Sequence, residues 1–193
     1  MSEAGSQRIA DGENPAVAAR SFADRFVGAF RLDGSVYQEV AGDPGALAQA
    51  AGVAVIAATA RAVGVLSAVP SGQAIFGAFS VLLFWPIASL LIWLAGNLLR
   101  SPGEFGRVLR VVGFAMAPLV LVSLVLVPNE WFRGGVLLVT YALLFGALVV
   151  GVRAALRVDT GRAAFVCVVF AMSLLFLYSV LIYLAARQAG GGP

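Results

Sequence analysis

Five long apolar stretches restrict this chain to few possible folds. In the third of them, the 17 residues from Val111 to Val127 carry no charge, and Ser123 has the only polar side chain. A helix on the surface of a soluble protein needs a polar face, which this stretch lacks. At about 1.5 Å per residue, such a helix is long enough to cross a hydrocarbon core of about 30 Å. The five predicted membrane spans are residues 46–69, 73–99, 107–127, 134–156 and 163–186.

We therefore predict an all-α membrane protein, a bundle of five transmembrane helices preceded by a short amphipathic interfacial helix. Composition agrees, because 61% of the residues are hydrophobic and 12% are charged, whereas soluble domains carry about 25% charge. The predicted organisation is a disordered cytoplasmic tail (residues 1–20), an amphipathic interfacial segment (21–45), the five-helix transmembrane domain (46–186) and a flexible tail (187–193).

The residue types that most catalytic and metal sites require are scarce. There is no histidine, and Cys167, the single cysteine, lies in the fifth span, where we expect a small buried hydrophobe. Ordinary metal sites and Ser/His/Asp triads depend on these residue types. The net charge of +3 is small and the arginines are spread among the loops, which argues against nucleic acid as a partner. We expect no catalytic residue, no cofactor and no metal, and therefore no enzyme.

An aromatic stripe precedes the first span. Phe22, Phe26 and Phe30 recur every four residues and share one face of a helix. Asp24, Arg25 and Arg31 are expected mostly on the other side. Two interpretations remain open: the helix lies at the membrane interface with its phenylalanines in contact with lipid, or it packs on the loops of the bundle. A second short apolar edge follows at Val36, Tyr37 and Val40.

Small residues and prolines are expected to shape the spans. Alanines recur at every fourth position of the first span, at Ala46, Ala50, Ala54, Ala58 and Ala62. Such a ridge lets neighbouring helices approach closely in lipid. Pro86 and Pro118 lie inside the second and third spans. Both are predicted to kink their helices, because proline removes a backbone donor and clashes with the preceding turn.

Arg61 lies inside the first span, where charge is unfavourable. An arginine at the centre of a span costs roughly 2.5–3.5 kcal/mol on insertion scales. Two interpretations remain open. The side chain extends to the outer interface or pairs inside the protein, with Glu130 as a candidate partner, or it is a contact for an anion or a lipid headgroup.

The distribution of arginine predicts the orientation in the membrane. Ten arginines fall in the N-terminal segment and in the loops after spans two and four, at Arg8, Arg20, Arg25, Arg31, Arg100, Arg107, Arg110, Arg153, Arg157 and Arg162. Only Arg133 and Arg187 fall on the other side. Because cytoplasmic loops carry an excess of basic residues, we place the N-terminus in the cytoplasm and the C-terminus outside, in a multi-pass protein of the cytoplasmic (inner) membrane.

Two groups of residues carry a resemblance to a known family. They are Tyr37, Glu39, Asp43 and Pro44 before the first span, and Arg110, Gly113, Phe114, Ala115 and Pro118 in the third. From about Phe22 to Tyr183 the chain resembles the Yip-type family of Ypt/Rab-GTPase-interacting membrane proteins, in particular its bacterial members. The resemblance implies five membrane helices with a cytoplasmic N-terminus. Eukaryotic members of that family take part in vesicle traffic and bind Rab-type GTPases, whereas the bacterial relatives imply no assigned role.

We interpret the chain as a non-enzymatic membrane protein that binds or organises other membrane components. Recognition is expected through the helix with Phe22, Phe26 and Phe30, the arginine loops and the ridges of small residues. Its expected partners are the lipid bilayer and another membrane protein or a second copy of itself, and not nucleic acid. The alternative is a permease for a small solute or a lipid, with Pro86 and Pro118 as hinges and Arg61 as an anion contact. A third interpretation is that the interfacial helix shapes the membrane.

Overall fold

Helices make up all the regular structure of the described residues, which are 20–66, 69–98, 103–127 and 129–189 of a computed structural model. Two short helices, α1 (Phe22–Phe30) and α2 (Gly34–Gly42), precede α3 (Ala46–Val65), α4 (Ser71–Leu98), α5 (Phe105–Ala115), a 3₁₀ helix (Ala117–Leu126), α6 (Glu130–Leu156) and α7 (Thr160–Ala189). The predicted N-terminal tail lies outside the described residues except for Arg20. Arg8 and Arg100 lie outside them as well.

Within the described residues, four segments are long and apolar enough to cross a membrane, namely Ala46–Val65, Ser71–Leu98, Phe105–Leu126 and Glu130–Leu156. The fifth, in α7, has a shorter apolar part at Thr160–Phe176. The predicted all-α membrane fold is thereby confirmed. α7 continues through Ala189, so Arg187 lies within this helix, and the flexibility of residues 187–193 stays a prediction. Alanine, arginine and glutamine all favour a helix, which explains why it continues to this point. Residues 190–193 lie outside the described part of the chain.

The third span changes its hydrogen-bonding pattern partway along. α5 ends at Ala115, and the 3₁₀ helix begins with Pro118 in its first turn. Pro118 has no N–H to offer to the carbonyl four residues earlier. The N–H of Leu119 instead donates to the Met116 carbonyl at 2.9 Å, in the i to i+3 pattern. Pro86 lies inside the α-helical turns of α4. Bends at the two prolines stay predictions.

α3 lies at the centre of the packing and contacts α4, α5 and the 3₁₀ helix. Its alanine ridge is buried at Ala46, Ala50, Ala54 and Ala58. Gly113 of α5 packs on this ridge, because a Cβ at Gly113 would lie 2.8 Å from the Cβ of Ala50 and 3.1 Å from Nε1 of Trp85. The small residues on both helices therefore permit the close approach of their backbones.

The apolar edge predicted after α1 is the buried face of a second helix, α2, which packs on α5 and α6. α2 begins at Asp33, whose carboxylate accepts a hydrogen bond from the N–H of Ser35 at 2.8 Å. Its buried residues are Val36, Tyr37, Val40 and Ala41. The hydroxyl of Tyr37 donates to the carbonyl of Ala29 at 3.1 Å, which joins α2 to α1. We refer to α1 and α2 together as the two-helix platform.

Candidate functional site

A buried arginine holds the two-helix platform together. Arg25 of α1 is only 2% exposed. Its Nη2 lies 2.8 Å from a carboxylate oxygen of Glu39 in α2 and 2.8 Å from one of Asp43, and its Nη1 donates to the side-chain carbonyl of Gln49 in α3 at 2.9 Å. A buried charge is tolerated only when it is paired in this way. The single guanidinium therefore joins α1, α2 and α3.

The charges of this network alter the acidity of its members. The hydrogen bond from Arg25 holds the pKa of Asp43 below its ordinary value, against the opposing effect of burial. Burial alone would lower the pKa of Arg25, but its hydrogen bonds to Glu39 and Asp43 and their charges outweigh burial and raise it. Both groups are therefore charged at neutral pH. Asp43 also accepts a hydrogen bond from the N–H of Gly45 at 2.9 Å, at the start of α3.

A second buried arginine attaches the platform to the membrane bundle. Arg110 of α5 is 8% exposed. Its Nε donates to the carbonyl of Val40 at 3.1 Å and its Nη2 to the carbonyl of Ala41 at 2.7 Å. These carbonyls belong to the last turn of α2, where no further helical N–H is available to them. Arg110 thus supplies the donors that α2 lacks, and its positive charge suits the negative end of the helix dipole.

Beside Arg110 lies a polar cavity of about 650 Å³, which we call the arginine pocket. Its charged lining consists of Arg107 and Arg110 from α5, Arg153 and Arg157 from the end of α6, and Glu104. Among the described residues, none of these arginines lies within 4.0 Å of a carboxylate oxygen of Glu104. The cavity therefore carries an excess of positive charge.

Arg107 has a polar atom that its surroundings leave without a partner. Its Nε is buried and forms no hydrogen bond within the described part of the chain. Arg153 is exposed, and its Nη1 donates to the hydroxyl of Thr160 at 3.3 Å. Arg157 follows the last residue of α6 in the left-handed conformation, with φ 53°. The pocket thus combines one fixed guanidinium, that of Arg110, with three that retain donors for another acceptor.

The predicted aromatic stripe lies partly against the protein itself. Phe26 and Phe30 are half-buried and pack on the core. Phe22 is 37% exposed, and its ring faces Gly52 of α3. Contact of these phenylalanines with lipid stays a prediction. Arg25 was expected on the side of α1 opposite the stripe, but its side chain is buried. The reason is that a residue three positions after Phe22 is only about 60° away from it around the helix.

Arg61 lies apart from the arginine pocket, beside a mainly apolar groove of about 350 Å³ whose walls include Phe84, Tyr141 and Phe170. Its Nε lies 3.7 Å from the position that a Cβ at Gly77 would occupy. Glu130 is not its partner, because the Glu130 carboxylate instead accepts a hydrogen bond from Arg133, one turn along the same helix, at 3.0 Å. An anion or headgroup contact at Arg61 stays a prediction.

From the sequence, the arginine loops were predicted to mark orientation and to take part in recognition, but it was not predicted that Arg25 is buried or that one cavity is lined by Arg107, Arg110, Arg153 and Arg157. The burial of Arg25 was partly predictable from the sequence, since this residue lies within one turn of the aromatic stripe. Arg110 is one of the residues that carry the family resemblance, but nothing in the sequence indicated its acceptors, which are backbone carbonyls about 70 residues earlier in the chain.

Fold and site together define a multi-pass helical membrane protein whose first two helices are attached to an arginine-rich end of the bundle. The Yip1 domain family matches residues 29–187, and the chain belongs to that family. The resemblance noted from the sequence is thereby confirmed. Comparison with curated proteins and with solved structures finds no match.

Proposed function

We propose that this Yip1-domain protein is a non-enzymatic membrane component that binds other membrane components, protein or lipid, through its two-helix platform. The observation that carries this proposal is the attachment of the platform by two arginines that are more than nine-tenths buried, Arg25 and Arg110. A surface held in one conformation before binding loses less conformational entropy when a partner arrives. A platform held in one conformation is therefore suited to binding a protein or a lipid.

The outer face of the platform offers apolar contact area beside charge. Phe22 and Val27 are 37% and 45% exposed, and Asp24 and Arg31 are exposed next to them. Apolar side chains bordered by charge are typical of a surface that binds a protein or the membrane interface. In the proposed orientation, with the N-terminus in the cytoplasm, this face lies at the cytoplasmic surface of the membrane.

The permease has less support than recognition. The groove beside Arg61 is lined mainly by apolar side chains, and the five predicted spans contain no aspartate or glutamate. Carriers coupled to protons generally need ionisable groups inside the membrane. Shaping of the membrane by α1 would need its aromatic side chains free for lipid, whereas Phe26 and Phe30 are packed on the core.

Photocrosslinking in intact cells tests the proposed binding. A photoreactive phenylalanine analogue replaces Phe22, and in a matched control it replaces Phe176, which is 73% exposed in the apolar part of α7. We expect position 22 to give discrete adducts with a protein or a lipid that position 176 does not give. If both positions give the same adducts, or position 22 gives none, the platform is not a recognition surface.

A further inference from the structure

We infer that the arginine pocket binds a phosphate group, either the headgroup of an anionic lipid or a free phosphate. This goes beyond the proposed function, because it concerns a different set of residues from those on the outer face of the platform. The pocket brings together four arginines and one glutamate from segments far apart in the sequence. Three features support phosphate binding: the placement of these cations, the unpartnered donor of Arg107 and the start of α5.

One of the arginines, Arg107, is placed against the dipole of its own helix. Arg107 and Arg110 lie in the first two turns of α5, which begins at Phe105. Cations near a helix N-terminus are unfavourable, whereas anions are favourable there. Helix dipoles explain Arg153 and Arg157 at the end of α6, and the dipole of α2 suits Arg110, but no helix dipole gives a reason for Arg107 in the first turn of α5. An anion bound at the start of α5 would make the interaction of the local charge with the helix dipole favourable.

The start of α5 also has donors available to an anion. Glu104 precedes the helix, and its side chain forms no capping hydrogen bond. The first N–H groups of a helix have no partner within it. Because these groups and the helix dipole act in the same direction, helix N-termini are frequent sites for phosphate. At α5 this arrangement lies beside the side chains of Arg107 and Arg110, which line the pocket.

The geometry of the guanidinium groups favours phosphate over a simple halide. Arg110 uses Nε and Nη2 to bind the carbonyls of α2, and its Nη1 makes no hydrogen bond within the described residues. Arg107 has a buried Nε that forms no hydrogen bond within the described residues, and leaving a buried donor without an acceptor is unfavourable. Arginine binds phosphate oxygens through two parallel N–H groups. Several arginines around one cavity suit a group with three terminal oxygens.

The position of the pocket connects it to the lipid surface. Arg107 and Arg110 lie at the first turns of the apolar segment Phe105–Leu126, which is the level at which lipid headgroups meet a transmembrane helix. Basic pockets at this level bind anionic headgroups in other membrane proteins. A free phosphate has the same oxygens, so the experiment compares the two sources.

The test uses the purified full-length chain and the double variant Arg107→Gln, Arg153→Gln, which leaves Arg110 in place to hold α2. The matched control is Arg31→Gln, Arg162→Gln, which removes the same charge from exposed positions outside the pocket on the same predicted side of the membrane. Lipid retention is measured by native mass spectrometry from nanodiscs that contain phosphatidic acid or phosphatidylcholine. Inorganic phosphate is added to protein in detergent, and the shift in Tm is recorded.

We expect the wild type and the control to retain phosphatidic acid in preference to phosphatidylcholine, and the pocket variant to retain it at least about 10-fold less. If the site prefers free phosphate, inorganic phosphate raises the Tm of the wild type but not that of the pocket variant. Equal loss in the pocket and control variants would mean general surface charge, and would overturn the inference. The inference would also be overturned if the wild type bound neither phosphatidic acid nor inorganic phosphate.

A variant that fails to fold does not prevent the test. Arg157→Gln replaces an exposed side chain of the pocket, and it is expected to reduce binding of the same probe with an unchanged Tm in its absence. Unchanged binding in this folded variant and in Arg153→Gln would overturn the inference. The photocrosslinking at Phe22 uses other residues, so failure of one experiment leaves the other interpretable.

Discussion

Nη2 of Arg110 lies 2.7 Å from the carbonyl oxygen of Ala41, across 69 positions of sequence. This hydrogen bond joins a transmembrane helix to the last turn of a short helix outside the span. Because the charged donor is buried and the acceptor has no other helical partner, the contact is strong and directional. It fixes the two-helix platform relative to the membrane bundle, and it defines one wall of the arginine pocket.

Replacing Arg110 should detach the platform. We expect Arg110→Met to lose about 3 kcal/mol or more of stability, because two hydrogen bonds from a charged group disappear and two carbonyls are left without donors. Thermal unfolding in detergent and limited proteolysis within α2 measure the effect. Arg162→Met, whose exposed side chain pairs with Asp159 at i,i+3, should change stability by no more than about 0.5 kcal/mol. A proteolysis pattern identical to wild type for Arg110→Met would contradict the role assigned to this residue.

The contact between α3 and α5 should not tolerate a larger residue at Gly113. A Cβ there would lie 2.8 Å from that of Ala50, so we expect Gly113→Ala to destabilise the protein by about 1–3 kcal/mol through overpacking. Gly134→Ala is the control, since no atom lies within 4 Å of its added Cβ and alanine favours a helix by about 1 kcal/mol. Unfolding temperatures of the two variants in the same detergent provide the comparison. Two variants of equal stability would show that the helices do not depend on this close approach.

Acid should weaken the platform before it affects the spans. The pKa of Asp43 is lowered in the folded protein, mainly by its hydrogen bond from Arg25. A lowered folded pKa gives stability that is present above the unfolded value of about 3.9 and is lost as the pH falls through the folded value. We therefore expect amide exchange in α1 and α2 to accelerate as the pH falls below about 4, after correction for the intrinsic rate.

Asp43→Asn is the control for this acid effect. It cannot ionise, so its corrected exchange should already be fast at neutral pH and should change less with acid. Asp33, whose pKa is lowered by its hydrogen bonds with Ser35, leaves some acid dependence in the variant. An acid response of the wild type equal to that of Asp43→Asn would exclude the Arg25–Asp43 pair as its source.

The orientation inferred from arginine is open to a direct test. The excess of arginine at one end of the bundle predicts a cytoplasmic N-terminus and an external C-terminus. In a bacterial host, alkaline phosphatase fused after Pro193 should be active, whereas the same enzyme inserted after Gly161 should be inactive. Activity only in the second fusion would reverse the orientation, and with it the proposed location of the platform.

The aromatic stripe of α1 shows which structural features a local sequence pattern can predict and which it cannot. Its period predicted a helix with an aromatic face, and the helix Phe22–Phe30 is present. The pattern left open whether that face meets lipid or protein, because both surroundings are apolar. The packing of Phe26 and Phe30 on the core depends on the helices that contact α1, among them α2, and residues 34–42 had shown only a short apolar edge.

The positions of the spans followed from sequence because the bilayer acts on each segment separately: a long run without charge must find an apolar environment and must satisfy its backbone internally. The roles of Arg25 and Arg110 were decided only by the tertiary structure, because burial of a guanidinium depends on acceptors supplied by other helices. Gln49 accepts from Arg25, and the carbonyl of Val40 accepts from Arg110; both acceptors lie on other helices, distant in the sequence. The sequence thus determined which segments enter the membrane, and the assembled fold determined which charges are buried and which surround the pocket.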